Sequence, residues 1–201
     1  MATTAQNDAP PVRRPRGRPR DPRVEGVVLG TTRDLLLDKG FGGLTIAAVA
    51  EQAGVGKGTI YLRWPDKEAL VIAALRDAWG PSDAPDTGSL EGDLHAIMGN
   101  AVQGLNSTPG ALFVSLLGEL GANDGLRALY DELVVRPWDR ALAAALSRAG
   151  ARGEVAPGID ARMASDDFYG PLMFARVMRG KKITPKQATS MVDVFLRGVS
   201  R

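Results

Sequence analysis

The sequence contains no cysteine and a single histidine, His95, among its 201 residues. The missing thiols exclude a disulfide framework, a thiol nucleophile and any cysteine-ligated zinc or iron–sulfur centre. One histidine excludes a multi-histidine metal centre. Long hydrophobic runs are lacking too. The longest is seven residues, Ala69 to Leu75, whereas a membrane span needs about 18 or more. The opening stretch, MATTAQNDAPP, has no apolar core of the kind a secretion signal carries. No segment of useful length alternates with period two, so neither strands nor a βαβ unit is expected. A Ser-His-Asp set, a phosphate loop and a metal-ligand spacing are all missing. An enzyme is therefore not expected, and no metal or cofactor is implied. The expectation is a cytoplasmic, all-helical protein.

What is present is an uneven distribution of charge. Lys plus Arg number 25 and Asp plus Glu 23, for a net charge of +2. Six of the arginines lie between Arg13 and Arg23, against one aspartate. Such a cationic arm suits a polyanion, most simply nucleic acid. A solvated tail that aids solubility has the same composition. Residues 1–20 are polar and proline-rich and show no period, so they are expected to be a disordered arm.

Regular structure is expected from Asp21-Pro22, an N-cap followed by a proline at the first helical position. Val24, Val27, Val28, Thr31, Leu35 and Leu36 then form one helical stripe that Gly40 ends. A second helix is capped by Thr45 and runs over 46–53. A third covers about 57–63 and is broken by Pro65. Asp66 caps a fourth that reaches Trp79. The stretch GPSDAPDTGS, residues 80–89, is packed with turn formers and reads as a linker. Residues 21–79 and 90–201 are therefore expected to be separate domains. The second holds five more helices, over about 90–106, 110–122, 124–149, 160–178 and from Thr184-Pro185 onward. Pro137 is expected to kink the third of these. The total is about nine helices.

The densest signal is IAAVAEQAGVGKGTIYLRW, Ile46 to Trp64. Two short helices meeting at a tight corner need small residues where they touch, glycine at the corner and apolar residues facing inward. Val49, Ala50, Ala53, Gly54, Val55 and Ile60 supply these, which is a helix-turn-helix pattern. The second helix is slim enough at Gly56, Gly58 and Thr59 to enter a major groove about 12 Å wide. Two ordinary core helices joined by a glycine turn are the other reading.

The order Gly40-Phe41-x-Gly43-Leu44-Thr45-Ile46, then Ala53-Gly54-Val55-x-Lys57-Gly58-Thr59-Ile60-Tyr61, then Trp64-x-x-Lys67-x-x-Leu70 resembles the DNA-binding domain of the TetR family of bacterial regulators. The resemblance covers about residues 22–70. It implies an all-helical homodimer that represses transcription at the nucleoid until a small molecule releases it. It further implies that Thr45 meets a phosphate from the helix-two N-cap. Gly56, Lys57, Gly58, Thr59 and Tyr61 would form the recognition helix, and Lys67 would touch phosphate. Arg63 could add a phosphate contact, and Leu62 is expected to pack inward. The resemblance also puts the dimer seam on the last two helices, with Met191, Phe195 and Leu196 on the last one's stripe.

Pro15-Arg16-Gly17-Arg18-Pro19-Arg20 resembles an AT-hook core. Prolines hold it extended, and Arg16, Arg18 and Arg20 can follow the negative potential of an A·T-rich minor groove. A floppy tail that makes only phosphate contacts is the plainer reading. An architectural A·T-binding protein without ligand control is the alternative function.

An effector, if one exists, is expected to be a mostly apolar small molecule near His95, Tyr130, Trp138 and Phe174. Core packing is the default for these aromatic residues, and for Tyr169 and Met173.

Overall fold

The glycine expected to end the first helix, Gly40, does break it: α1 (Pro22–Gly43) is kinked there, at φ +67° and ψ 178°. That left-handed φ suits a residue with no Cβ. Upstream of it, Val28, Leu29, Leu35 and Leu36 are buried on one face. Val27, assigned to the same stripe, is half-exposed, because it lies one residue, or about 100°, from Val28. This computed structural model describes residues 22–79 and 84–200. The arginine arm, with Arg16, Arg18 and Arg20, lies outside them.

Local capping chemistry sets most of the helix starts. Thr45 Oγ1 accepts from the Ala48 N–H at 3.1 Å and opens α2 (Ile46–Gln52). Gly54, at φ +66°, makes the corner before α3 (Lys57–Tyr61). Asp66 Oδ1 accepts from the Ala69 N–H at 2.8 Å and opens α4 (Lys67–Ala78). Ser89 caps α5 (Leu90–Asn106), Ser107 caps α6 (Thr108–Ser115), and Asn123 caps α7 (Asp124–Tyr130). After α8 (Arg136–Arg152) and α9 (Ala161–Met173) comes α10 (Pro185–Val199). There Thr184 and Gln187 form a reciprocal capping box.

The disturbance expected at Pro137 is accompanied by a widened turn just before it. A wide π-helical turn, Asp131–Val135, carries α7 into α8 without a break. Proline has no N–H to donate and its ring crowds the carbonyl four residues back, so widening the preceding turn relieves both problems. Counted as one rod, α7 and α8 bring the described helices to the nine expected. A second π-turn, Phe174–Met178, follows Pro171 in α9. No strand occurs among the described residues, only an isolated bridge between Val155 and Ser200. No described helix is long and apolar enough to cross a membrane.

Two hydrophobic cores form. The first joins α1 to α4 and takes in Leu112, Phe113 and Leu116 from α6 with Leu126, Leu129 and Val134. The second lies between α5, α8, α9 and α10, and Trp138 packs against both. The α5–α6 corner requires glycine at 110, where a Cβ would come within 2.2 Å of the Gly104 carbonyl oxygen. Polar ties hold α4 to the α7–α8 rod. Asn123 Nδ2 donates to Glu68 Oε2 at 2.8 Å, and Arg76 pairs with Glu132.

The connection read as a linker is pinned along its described part. The Thr87 N–H and hydroxyl donate to Asp93 Oδ1 at 2.6 and 2.8 Å. Arg148 Nη2 donates to Asp93 Oδ2 at 2.8 Å and to the Pro85 carbonyl at 2.6 Å. Residues 85–87 thus form a strap laid across α5 and α8.

Candidate nucleic-acid interface and cavity

Helices α2 and α3 present one polar, solvent-facing surface. Ile60 is fully buried and fixes the rotation of α3, while Trp64, four residues on, is buried on the same side. Thr45, Gly56, Lys57, Gly58 and Tyr61 are then exposed, and Thr59 is half-buried beside them. Tyr61 is 52% and Leu62 85% accessible. The expectation that Leu62 packs inward is therefore corrected. Leu62 lies about 200° around the helix from Ile60, and Trp64 already takes the inward place. The i, i+4 pair of Ile60 and Trp64 was a signal for this in the sequence. Leu62 adds an apolar tip to this exposed surface.

The two flanking cations have other engagements. Lys67 Nζ donates to the Phe41 carbonyl at 2.9 Å and sits 4.1 Å from the centre of the Phe41 ring. It locks the turn between α1 and α2 and keeps two further N–H donors. Arg63 is mostly buried, and its Nε lies 3.7 Å from Glu25 Oε2 on α1. It braces the head from behind rather than extending from its surface.

A cavity of about 620 Å³ opens where α5 diverges from the α7–α8 rod. Its walls include Trp79 at the end of α4, Pro85 of the strap, Asn100 and Gln103 of α5, and Trp138 and Tyr169. Of the four sequence candidates for a ligand site, only Trp138 lines it. His95 lies two residues, about 200°, from the lining residue Ile97 and faces Asp193 on α10 with Nε2 4.0 Å away. Tyr130 packs in the first core, 6.0 Å from the Phe113 ring centre. Burial pushes its phenol up to about 12. Phe174 is exposed beneath the Arg179 guanidinium, 5.5 Å from its ring centre. Trp79, Asn100 and Gln103 were not picked out in the sequence. Among the described residues, no cluster of His, Asp or Glu could hold a metal ion.

A second groove, also of about 620 Å³, runs between α9 and α10 and is mainly apolar. Met163, Pro171, Met191, Val194 and Phe195 line it. Leu196 does not. It packs against the second core.

Residues 28–74 match the family described as bacterial regulatory proteins, tetR family. Residues 84–195 match a tetracyclin repressor-like C-terminal domain. The chain is 30% identical over 185 residues to the uncharacterized HTH-type transcriptional regulator YdeS of Bacillus subtilis, covering 92% of this chain and 93% of that one. It is 31% identical over 141 residues to the DNA-binding transcriptional repressor TetR of Mycobacteroides abscessus, covering 69% and 74%. Among solved structures, the transcriptional regulator FadR from Bacillus subtilis in complex with stearoyl-CoA superposes with a TM-score of 0.70. That pair is 21% identical over 86% of this chain and 98% of the other, a likeness of fold.

Proposed function

The chain belongs to the tetR family of bacterial regulatory proteins, and on that premise we propose that it binds a near-palindromic operator as a homodimer, represses the adjacent genes, and is released when a small molecule fills the cavity beside Trp138. It is a helix-turn-helix transcriptional regulator. The observation that carries the DNA reading is the exposed row of Lys57, Gly58, Tyr61 and Leu62, held by the buried Ile60 and Trp64. Short hydroxyls, backbone N–H groups and an ammonium position the head on phosphates, while Tyr61 and Leu62 meet base edges. Two heads on one two-fold axis require half-sites about one helical turn apart, or a multiple of it. The protein acts on the nucleoid in the cytoplasm and catalyses nothing. The match of residues 84–195 to a regulatory domain does not favour a purely architectural role.

Residues 21–79 serve as the reading head and 90–201 as the regulatory and dimerisation unit. Their connection is mechanical. Helix α4 starts at the head, and its last residues, Ala78 and Trp79, line the cavity. An effector that prefers the cavity of one head spacing shifts the population toward that spacing. Coupling is reciprocal, so operator should weaken effector binding by the same factor that effector weakens operator binding.

The reading head is tested by selecting bound DNA from random sequence, then measuring Tyr61→Ala and Lys57→Ala on the selected operator. Tyr61→Ala should cost about 1–3 kcal/mol and relax specificity at one base per half-site. Lys57→Ala should weaken all sequences alike and lower the salt slope by about one per half-site. Unchanged affinity and slope in both variants would remove α3 from the contact surface.

The arm has its own test, on operators that differ only in flanking A·T or G·C pairs. Full-length protein should favour the A·T flank, because a narrow groove deepens the negative potential met by Arg16, Arg18 and Arg20. Deleting residues 1–20 should erase that preference and keep the half-site sequence. Equal affinity of the full-length protein for both flanks reduces the arm to general electrostatics.

A further inference from the structure

The cavity beside Trp138 has an uncommon composition. Among the described residues, none of the fifteen that line it is Asp, Glu, Lys, Arg or His. Of the charges beside lining residues along the chain, Asp77 pairs with Arg33 and Arg136 with Asp131, Asp139 accepts from the Ser165 hydroxyl, and Arg140 donates to the Arg136 carbonyl. Glu132, next to the lining Leu133, pairs with Arg76. Arg148, which holds the strap at Pro85, pairs with Asp93 and Asp86. Tyr169 is the one titratable lining group. Burial pushes its phenol far above the ordinary value, with Asp139 adding to the effect, so it stays neutral. A charged guest would lose hydration on entry and meet no counter-ion among the described lining residues.

The aromatic walls are already held in place. Trp138 is stacked on Tyr169, with ring centres 4.4 Å apart and planes 24° from parallel. The Tyr169 hydroxyl donates to the Trp138 carbonyl at 3.2 Å. Trp79 is braced edge-on by Phe113 at 4.5 Å. Ring faces attract cations, but an aromatic cage needs several free faces around one point, and Tyr169 occupies one face of Trp138. What remains suits offset stacking with a flat guest. The side-chain amides of Asn100 and Gln103 also line the cavity and make no hydrogen bond among the described residues. They can donate to or accept from a neutral polar edge.

We infer that this cavity selects an uncharged, flat aromatic molecule, stacked against the indoles of Trp79 and Trp138, over anionic or cationic molecules of the same size. The inference rests on the reading of this cavity as the effector site.

Two of the three tryptophans in the chain line the cavity, so intrinsic emission reports on occupancy. The experiment titrates the full chain with three probes that share a naphthalene body. These are neutral N-phenyl-1-naphthylamine, anionic 8-anilinonaphthalene-1-sulfonate and a cationic naphthyl-trimethylammonium. The neutral probe should quench emission with a dissociation constant at least ten-fold below the other two. Ala141→Phe, which fills the cavity, should abolish that quenching, with thermal melting as the check on folding. Asn100→Asp, at an exposed helical position, should leave the fold intact and raise affinity for the cationic probe about ten-fold relative to the neutral one. Equal or tighter binding of the anionic probe, or displacement of the neutral probe by stearoyl-CoA at equal concentration, overturns the inference. Operator release is scored separately on the selected DNA. Tight neutral binding without release upholds the chemical preference and removes the effector role. Release by a charged molecule alone overturns the preference and keeps the role.

Discussion

Val194→Glu should yield a folded monomer whose operator affinity is lower by about 10²- to 10⁴-fold. Val194 is 66% accessible on α10, in the apolar groove shared with Met163, Pro171 and Met191 of the same subunit. In an isolated subunit the new carboxylate stays in water and costs little. In a two-fold seam built from α9 and α10 it is buried without a partner and faces a second copy of itself. An unpaired buried charge costs about 3–5 kcal/mol, enough to dissociate a seam of ordinary size. Each head then binds its half-site alone and loses the effective concentration that linkage supplies, the source of the expected range. Leu196→Glu is a poorer test, because Leu196 packs against its own subunit's second core and its loss would mix folding with assembly. Light scattering and a circular dichroism melt separate the two effects. An intact dimer of the Val194→Glu protein would move the seam away from this groove.

Helix boundaries were legible in the sequence where local chemistry sets them. Thr45, Asp66 and Thr184-Pro185 each cap or open a helix as their residue types predict. The exposed face of α3 was legible as well, because the helix is short and its rotation follows from two buried residues four apart. Leu62 is exposed despite its apolarity, because its angle from Ile60 decides its place. The π-turn before Pro137 was not legible. Proline announces a disturbance, but whether the chain bends or widens depends on what packs around Leu133 and Val134.

The cavity was least legible of all. Periodicity tells which face of a helix is buried, not which neighbour that face meets. His95 and Ile97 lie on the same helix, yet one faces α10 and the other the cavity. Tyr130 and Trp138 belong to one continuous rod, and the first serves the head's core while the second lines the cavity. Trp79 read as the end of a linking helix, and only the tertiary arrangement gives it a place in the cavity wall. The turn-rich stretch before α5 carried no sign that Asp93 and Arg148 would tie it down. Those partners lie 6 and 63 residues along the chain from the groups they bind in it.

Asp93→Ala should cost about 3 kcal/mol of unfolding free energy and loosen the strap over the cavity. Asp93 is fully buried, and its two oxygens take three donors, the Thr87 N–H, the Thr87 hydroxyl and Arg148 Nη2. Truncation leaves the Arg148 guanidinium and the Thr87 N–H without their acceptor, and removing one partner of a buried ion pair costs about 3–5 kcal/mol. The lower end applies here, because Arg148 keeps the Pro85 carbonyl, has Asp86 3.4 Å away and is partly open to water. Burial by itself would push the Asp93 carboxyl up. The Arg148 guanidinium and the Thr87 donors outweigh it and hold the carboxyl below its ordinary value. A carboxyl depressed in the folded state contributes its stability fully above the unfolded value, about 3.9, and loses it as pH falls through the lower, folded value. Asp93→Asn keeps the shape and removes the proton linkage. Its stability should therefore fall less steeply below about pH 4 than that of the native chain. Gly92→Ala disturbs the same strap from the other side, since a Cβ there would come within 2.3 Å of Thr87 Oγ1. It should reproduce the loosened strap with Asp93 intact. Urea unfolding at pH 7 and below pH 4 measures the first two effects, and probe affinity at the cavity measures the third. Equal stability of the native and Asp93→Ala chains at pH 7 would make the strap a passive tether. A loss of stability with unchanged probe affinity would separate its role in folding from any role at the cavity, because Pro85 is the point at which strap and cavity wall coincide.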